Sequence, residues 1–392
     1  MSRPRAAKYT GYPRVRFGSI ITTYRCNAKC NMCDIWQHPT DPKTEIGTEV
    51  YSKLPEMDAA NVTGGEPFLR KDLDDIVSVV KERAKRVVIS SNGWHVEKTL
   101  ALFEKHGNSI GLRLSIEGLP KTNDEIRGMR DGFDRALRIL TTLNRMGVQD
   151  IGFGLTIQDW NAEDALELYS LAKMMGMEFA SATLHNSFYF HKQDNKFEDT
   201  AGALKTLHTI AEDLLKSKRP KDWFRAYFNY GLMNYLQGNP RLLPCRMAHD
   251  AFFIEPNGDI MPCNAMDKKM TFGNLRTEAW EDIWYSQDAE TAREAVRSCE
   301  KNCWMVGSVS QEMKKRIHKP LAWLVKHKVF RKPIQVPALA QHHPNYILDR
   351  GGPPAAETMH HELLPKGIRK RHRKGLKVEE NADPAKPEQV EV

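Results

Sequence analysis

The chain has 392 residues, more than the roughly 250–300 that one hydrophobic core usually serves, so we expect more than one domain. Hydrophobic residues make up 41% and charged residues 28% of the sequence, which excludes a wholly disordered chain. No uncharged apolar run approaches the roughly 18 residues of a membrane-spanning helix. The basic start MSRPRAAKYTGYPR lacks the apolar stretch of a secretory signal, so we expect a cytoplasmic protein.

The net charge of +8 is confined to one end of the chain. Residues 311–392 contain 17 Lys and Arg against 9 Asp and Glu, whereas residues 1–310 contain 41 of each kind. The excess positive charge therefore concerns a C-terminal extension and its partners, not the main fold.

Short apolar runs alternate with helical patterns along the first half of the chain. The pattern predicts strands at 17–25, 61–63, 86–90, 111–117, 151–157 and 179–184. It predicts helices near 48–56, 72–84, 95–105, 133–146, 162–175 and 201–217. Six such units predict an α/β fold with a parallel sheet, an open partial (β/α)6 TIM-like barrel. Its site is expected at the carboxyl ends of the strands.

Seven cysteines form two groups, and an odd number without a secretory signal does not fit a disulfide framework. The first group, Cys26, Cys30 and Cys33, has the spacing C-x3-C-x2-C and follows the first predicted strand. Three thiolates can hold three irons of a [4Fe–4S] cluster and leave the fourth iron open, whereas structural metal sites usually fill every position. A three-ligand zinc site and three unrelated buried cysteines are the alternatives.

Further motifs follow this group in a fixed order, each at or near the end of a predicted strand. They are Gly64-Gly65-Glu66-Pro67, Ser90-Ser91-Asn92-Gly93, Ser115-Ile116-Glu117-Gly118, Asn123-Asp124-Glu125-Ile126-Arg127-Gly128 and the fifth strand GFGLTI. Individually, each could be a turn, a strand-end cap or a surface arginine. Together with the cysteines they resemble the radical S-adenosylmethionine (radical SAM) superfamily. Two departures are Met32, where many members have an aromatic residue, and Glu117, where Asp is usual.

The resemblance implies which residues bind SAM and what chemistry follows. The SAM-binding residues would be Gly64, Gly65, Glu66, Pro67, Ser90, Asn92, Ser115, Glu117 and Arg127, with the arginine at the SAM carboxylate. SAM would chelate the open iron. Reductive cleavage would give a 5′-deoxyadenosyl radical that takes hydrogen from a substrate C–H, with electrons from a donor such as flavodoxin or ferredoxin.

The second group comprises Cys245, Cys263, Cys299 and Cys303. The segment FFIEPNGDIMPC predicts a hairpin whose turn contains Gly258 and brings Cys263 back towards Cys245. This region resembles the SPASM/twitch modules of radical SAM enzymes. A full SPASM module carries more cysteines and two auxiliary clusters, so four cysteines favour the twitch form with one auxiliary [4Fe–4S] cluster. A structural zinc site is the alternative.

These features predict five segments. They are an N-terminal segment 1–16, a radical SAM partial barrel 17–238, an auxiliary cluster domain 239–310, a basic amphipathic extension 311–350 and a tail 351–392 with a composition typical of disorder. In the extension, KKRIHKPLAWLVKHKVFRK predicts a helix that packs on the barrel with a solvated basic face or lies on an anionic membrane surface. The basic run 366–377 lacks interleaved aromatic residues and predicts no specific nucleic-acid partner.

The substrate is the least determined feature. Many radical SAM peptide maturases carry an N-terminal peptide-recognition domain, and we do not expect one here because only about 16 residues precede the first predicted strand. Sulfatase maturases generally carry a longer cysteine set than this sequence has. Both points favour oxidation or modification of a small-molecule or sugar-like substrate. A peptide or protein maturase is the alternative, and a non-catalytic Fe–S or zinc-binding protein is the alternative from another class. His185, Tyr189 and Asp250 are the candidate catalytic residues.

Overall fold

The computed structural model describes residues 14–266 and 269–340, and the statements below refer to these residues. The predicted tail 351–392 and most of the predicted N-terminal segment lie outside them. Among the described residues, no helix has the length and apolar character needed to cross a membrane.

A nine-stranded sheet organises the fold, in the order β6-β5-β4-β3-β2-β1-β7-β8-β9. The first six strands are parallel and confirm the predicted partial barrel. Their bounds are β1 Phe17–Ile21, β2 Ala59–Thr63, β3 Val87–Ser91, β4 Ile110–Ser115, β5 Ile151–Ile157 and β6 Glu178–Thr183. β1 is shorter than predicted because the chain leaves the sheet after Ile21 and enters the cysteine-bearing loop.

Helices follow the strands and cover the outside of the sheet. Their apolar residues recur every three or four positions, as in the helix that buries Phe133, Ala136, Leu140 and Leu143. The predicted helices are α1 Thr48–Tyr51, α2 Leu73–Arg83, α3 Val96–His106, α5 Gly132–Arg145, α6 Ala162–Met174 and α7 Ala201–Lys216. Two further helices of this region, α4 Pro120–Arg127 and α8 Pro220–Leu236, have proline in their first turn.

The predicted hairpin is present as β7 Ala251–Ile254 and β8 Asp259–Met261, and β9 Gly273–Asn274 pairs with β8. Gly258 has φ +95°, which confirms its predicted place in the turn. β7 also pairs with β1 in parallel, so the hairpin extends the barrel's own sheet. The second cysteine group is therefore built directly onto the barrel.

The C-terminal part of the described chain is helical. Its helices are α9 Trp280–Trp284, α10 Gln287–Arg297, α11 Val306–Lys315 and α12 His318–Leu324, and α12 continues as a π-helix over Val325–Val329. Trp323 packs its ring against Tyr227 and Tyr230 of α8, with ring centroids 5.6 and 5.3 Å apart. One face of the basic extension therefore packs on the barrel, the first of the two predicted arrangements.

Candidate active site

The loop with the first three cysteines leaves the carboxyl end of β1 and is fixed to the end of α4. The backbone N–H of Lys29 donates to the carbonyl of Arg127 at 2.9 Å, and that of Asn31 donates to the carbonyl of Ile126 at 2.9 Å. These bonds satisfy carbonyls at the helix end that have no partner within the helix. They hold Cys30 beside Arg127.

Gly65 packs against the same loop from the other side. Its N–H donates to the carbonyl of Thr23 at 2.7 Å, and the N–H of Glu66 donates to the carbonyl of Arg25 at 2.9 Å. A Cβ at residue 65 would lie 2.3 Å from the Arg25 carbonyl oxygen, so any larger residue would displace the loop. The glycine motif thus positions the cysteines as well as the wall of the site.

Glu66 and Pro67 are buried behind this wall. The Glu66 carboxylate accepts hydrogen bonds from the Phe68 N–H at 3.0 Å, the Ser91 hydroxyl at 2.9 Å and the Asn92 N–H at 2.7 Å. Pro67 begins a single turn of 3-10 helix. Neither residue borders the cavity beside the cysteines. Glu66 ties the glycine motif to the end of β3 and so orients Asn92.

A cavity of about 190 Å³ lies beside Cys33 and Met32. Seven of the nine predicted SAM-binding residues border it: Gly64, Gly65, Ser90, Asn92, Ser115, Glu117 and Arg127. These residues come from separate parts of the sequence and meet because the carboxyl ends of parallel strands share one edge of the sheet.

Arg127 and Glu117 form a buried ion pair, with Nη1 and Oε1 3.3 Å apart. The other oxygen of Glu117 accepts from the Thr156 N–H at 2.7 Å. Burial raises the pKa of Glu117 to about 6, although the charge of Arg127 opposes this rise. The Nε–H of Arg127 is buried and has no hydrogen-bond partner among the described residues. A ligand carboxylate is the group that would satisfy it.

Burial raises the pKa of the Cys26 and Cys33 thiols to about 12. It also raises the pKa of Cys30, against the effect of the nearby Arg127. Such thiols are inert until a metal displaces their protons. Among the described residues, no three His, Cys, Asp or Glu side chains are grouped so as to hold a single metal ion. A [4Fe–4S] cluster binds each thiolate to a different iron.

The residues therefore fit a [4Fe–4S] cluster with SAM. Three thiols lie on one loop, and a cavity adjoins the third of them, Cys33. Arg127, which also borders this cavity, has a buried Nε–H without a hydrogen-bond acceptor among the described residues. When bound, the cluster and SAM supply a 5′-deoxyadenosyl radical that removes hydrogen from a substrate C–H. The chain's own part is to bind, orient and shield the reactants.

The loop after β6 covers this cavity. The Tyr189 hydroxyl donates to the Gly64 carbonyl, and the Asp34 N–H donates to the Phe190 carbonyl at 2.8 Å. The Asn195 amide donates to the carbonyls of Met32 and His185, each at 3.0 Å. Tyr189 thus acts on the glycine motif as a positioning residue. Phe190 and Asn195 could not be predicted as part of the site, because neither belongs to a motif.

His185 borders the cavity and is held in one tautomer. Its Nδ1 lies 3.1 Å from the Thr183 carbonyl oxygen, which can only accept, so Nδ1 carries the proton. Nε2 is then left with a lone pair. Burial lowers the pKa of His185, which keeps the ring neutral at physiological pH. His185 can therefore accept a proton near the cavity.

Asp250 is not part of this site. It immediately precedes β7, and β7 runs parallel to β1, so Asp250 lies at the amino end of the strands. Its carbonyl accepts hydrogen bonds from the N–H groups of Arg16 and Phe17 at 2.7 and 3.2 Å. The catalytic role considered for Asp250 is therefore replaced by a structural one at the opposite edge of the sheet.

A second cavity, of about 1480 Å³, lies below the first and shares Ser90, Ser115, Glu117 and Thr156 with it. Small residues on β5 and β6, including Gly154, leave this space open inside the barrel. The end of this cavity that lies at the amino ends of the strands is cationic, since five cations surround the carboxylates of Asp150 and Glu178. They are Arg86, Arg113, Arg219, Lys221 and Arg225.

The second cysteine group also comes together. Burial raises the pKa of Cys263, and the nearby Cys245 and Cys303 raise it further. Burial also raises the pKa of Cys303, to which Cys245 and Cys299 add. Arg241 interacts with both Cys245 and Cys303, and its Nε donates to the Lys301 carbonyl at 3.0 Å. A cation beside thiolates offsets their negative charge. No motif drew attention to Arg241, which precedes the first cysteine of the group.

Comparison with known families agrees with this geometry. Residues 20–172 match the model of the radical SAM superfamily, and residues 245–304 match that of the SPASM iron–sulfur cluster-binding domain. The chain belongs to the radical SAM superfamily and carries an auxiliary SPASM-type domain. It is accordingly an enzyme that uses a [4Fe–4S] cluster, SAM, auxiliary iron–sulfur chemistry and an external reductant.

Curated relatives differ in how much of the chain they cover. Fe-coproporphyrin III synthase of Methanosarcina barkeri is 33% identical over 156 residues, 38% of this chain and 39% of that protein. Mycofactocin maturase MftC of Mycolicibacterium smegmatis is 25% identical over 69% of this chain and 70% of its own length. A PqqA peptide cyclase of Xanthomonas axonopodis pv. citri is 25% identical over 68% of this chain and 73% of its own length.

A solved structure shares the fold. Streptococcus suis SuiB, in its structure bound to the precursor peptide SuiA, superposes with a TM-score of 0.55. It is 17% identical and covers 73% of this chain and 67% of its own.

Proposed function

We propose that this radical SAM enzyme is a maturase that abstracts hydrogen from a C–H of a peptide substrate. In this proposal Cys26, Cys30 and Cys33 hold the cluster that binds SAM. The four cysteines of the second group hold one auxiliary [4Fe–4S] cluster. This replaces a small-molecule or sugar-like substrate as the leading interpretation.

The size of the second cavity carries the proposal. At about 1480 Å³, it exceeds the roughly 300–1,000 Å³ typical of sites for small ligands. It adjoins the SAM cavity, with which it shares four lining residues, so an extended chain inside the barrel would bring one C–H close to the radical. Relatives that span both domains support this interpretation, since they are named as a maturase and a peptide cyclase.

The charge at the amino-terminal end of the cavity favours an acidic segment in that peptide. Lys221 Nζ lies 2.9 Å from a Glu178 oxygen, and the Arg225 guanidinium pairs with the other oxygen of the same carboxylate. Burial and the charge of Arg113 lower the pKa of Lys221 and bring that of Arg225 to about 10. Cations that depress one another's pKa gain from a further anion.

Deuterium transfer tests the proposal without a known substrate. Reconstituted enzyme, SAM and reductant are incubated with extract of cells grown in D2O, divided by ultrafiltration into a peptide fraction and a metabolite fraction. We expect deuterium in 5′-deoxyadenosine with the peptide fraction alone, and its loss after protease treatment of that fraction. Cys30→Ala enzyme, which lacks one cluster ligand, provides the blank.

Two results would contradict parts of the proposal. Deuterium from the metabolite fraction, insensitive to protease, would restore the small-molecule alternative. SAM cleavage that persists in Cys30→Ala enzyme would show that the first cluster is assigned to the wrong cysteines.

A further inference from the structure

Exposed apolar side chains are concentrated at the C-terminal end of the described chain. Of the ten large apolar side chains that are exposed among the described residues, eight lie between Val306 and Leu339. Ile317, Leu321, Val325 and Val329 follow one another at intervals of four and are 43–67% exposed. Residues four apart lie on the same side of a helix, so these four form a continuous apolar stripe.

The opposite side of this helix is anchored to the protein. Pro320 and Leu324 are buried, and the Trp323 ring packs against Tyr227 edge-to-face and against Tyr230 in a tilted contact. Lys328 Nζ donates to the Ser217 carbonyl at 3.0 Å. The stripe is therefore held outward by a packed helix.

Positive charge borders the stripe without exposed negative charge. Glu312 is the only acidic residue among the described residues 306–340; it is buried and pairs with Arg316 at 2.5 Å. The exposed cations of this segment are Lys314, Lys315, Arg316, Lys319, Lys326, Arg331 and Lys332. A helix with an apolar face flanked by lysines is the type that lies in the interface of an anionic membrane.

We propose that this surface docks on an anionic lipid bilayer, with Ile317, Leu321, Val325 and Val329 in the interface and the flanking lysines at the headgroups. The charge of the surface is complementary to such lipids. Residues 366–377 of the sequence add seven Lys and Arg and no acidic residue, a composition that is attracted to the same anionic lipids. The proposal goes beyond the reaction and does not depend on the substrate.

Docking would also orient the enzyme. Val306, Lys314 and Ile317 border the larger cavity as well as the docking surface. Contact along the stripe therefore brings this part of the cavity wall close to the bilayer surface.

Vesicle co-sedimentation of the full-length reconstituted protein tests the proposal. Vesicles of phosphatidylcholine alone are compared with vesicles that also contain phosphatidylglycerol. We expect binding to the anionic vesicles that weakens as salt is raised. Leu321→Ser with Val325→Ser should weaken binding by about tenfold, because the stripe no longer enters the interface. Lys319→Glu with Lys326→Glu should weaken it at low salt.

The controls are the exposed methionines outside this segment. Met146→Ser with Met174→Ser removes similar exposed apolar surface and should leave vesicle binding unchanged. Circular dichroism verifies that each variant keeps its helix content.

Three outcomes would overturn the proposal. One is equal binding to neutral and anionic vesicles. Another is full binding by the stripe variant together with loss of binding in full-length protein carrying Lys370→Glu, Arg371→Glu and Arg373→Glu, which would assign binding to the tail sequence alone. The third is a protein that does not bind vesicles and is instead a dimer that dissociates when Leu321→Ser and Val325→Ser are introduced. That result would make the stripe an interface between copies of this chain.

Discussion

A Cβ on Gly231 would lie 2.0 Å from the indole ring of Trp304. The indole Nε1–H donates to the Phe228 carbonyl at 2.9 Å, so the ring is seated on α8 of the barrel. Trp304 directly follows Cys303. Because Gly231 has no side chain, the Trp304 ring fits against α8 and fixes the end of the segment that carries the last two cysteines.

We predict that Gly231→Ala impairs the auxiliary site. Overpacking costs about 1–3 kcal/mol, more than the roughly 1 kcal/mol that alanine gains over glycine in a helix. Iron content should fall from about eight towards about four per chain, while 5′-deoxyadenosine formation persists. The assays are iron analysis and chromatography of the SAM products.

Gly202→Ala is the matched control, because the added Cβ would come only to 3.3 Å from that of Ala162. It should leave iron content unchanged. Equal iron loss in both variants would show that Trp304 does not transmit the effect.

A second prediction concerns SAM binding. Arg127→Ala removes a buried guanidinium whose Nε–H has no protein partner among the described residues. A hydrogen bond to a charged group contributes about 1.5–3 kcal/mol, so SAM affinity should fall by roughly 10- to 100-fold. The three cysteines remain, and the first cluster should still assemble.

The measurement is the change that SAM produces in the electron paramagnetic resonance spectrum of the reduced cluster, titrated with SAM. Arg130→Ala, at an exposed position three residues further on, should titrate as the unaltered protein does. An unaltered titration in Arg127→Ala would remove Arg127 from the site.

The alternation of strands and helices was sufficient to predict the six parallel strands, including the bounds of β5, because each strand is a short buried run between amphipathic helices. Because the strands are parallel, their carboxyl ends lie at one edge of the sheet, and the motif residues that follow them could be predicted to meet there. The helix α4 was missed because its residues PKTNDEIR contain one large apolar side chain, Ile126, and so show no apolar period.

Long-range pairing could not be predicted. The hairpin turn at Gly258 is encoded locally, but the pairing of β7 with β1 joins residues more than 230 positions apart. The direction of β7 follows from that pairing, and with it the end of the sheet at which Asp250 lies. The anchoring of Trp304 on Gly231 depends on tertiary packing in the same way.

His185 gives a prediction about proton transfer. Nε2 is the only ring nitrogen able to accept a proton, and burial lowers the pKa of the ring. If His185 removes a proton from the substrate, His185→Ala should lower product formation by about 100-fold or more. Formation of 5′-deoxyadenosine should continue, because SAM cleavage does not need this base.

The pH profile distinguishes this role from a structural one. A lowered pKa keeps the imidazole neutral below the ordinary value of about 6.5, so the ratio of product to 5′-deoxyadenosine should stay constant through that pH. A ratio that falls with an apparent pKa near the ordinary value, or joint loss of both products in His185→Ala, would contradict the assignment.

Asp150 gives a prediction about acid stability. Its carboxylate lies 2.8 Å from Arg86 and 2.7 Å from Arg113. Burial alone would raise its pKa, but the hydrogen bond from Arg86 and the charge of Arg113 outweigh burial and lower the pKa from 3.8 to about 2.

The lowered pKa of Asp150 stabilises the fold at pH values above the pKa of the unfolded chain, and this contribution is lost as the pH falls through the pKa of the folded protein. Because Arg86 is half exposed, solvent reduces the effect, and Asp150→Asn should cost about 1 kcal/mol at neutral pH. The difference in urea midpoint between the two proteins should be constant above about pH 4 and shrink towards pH 2. Asp131→Asn, at an exposed aspartate, should show no such difference, and a gap for Asp150→Asn that persists unchanged to the lowest pH would mean that packing, and not charge, makes Asp150 stabilising.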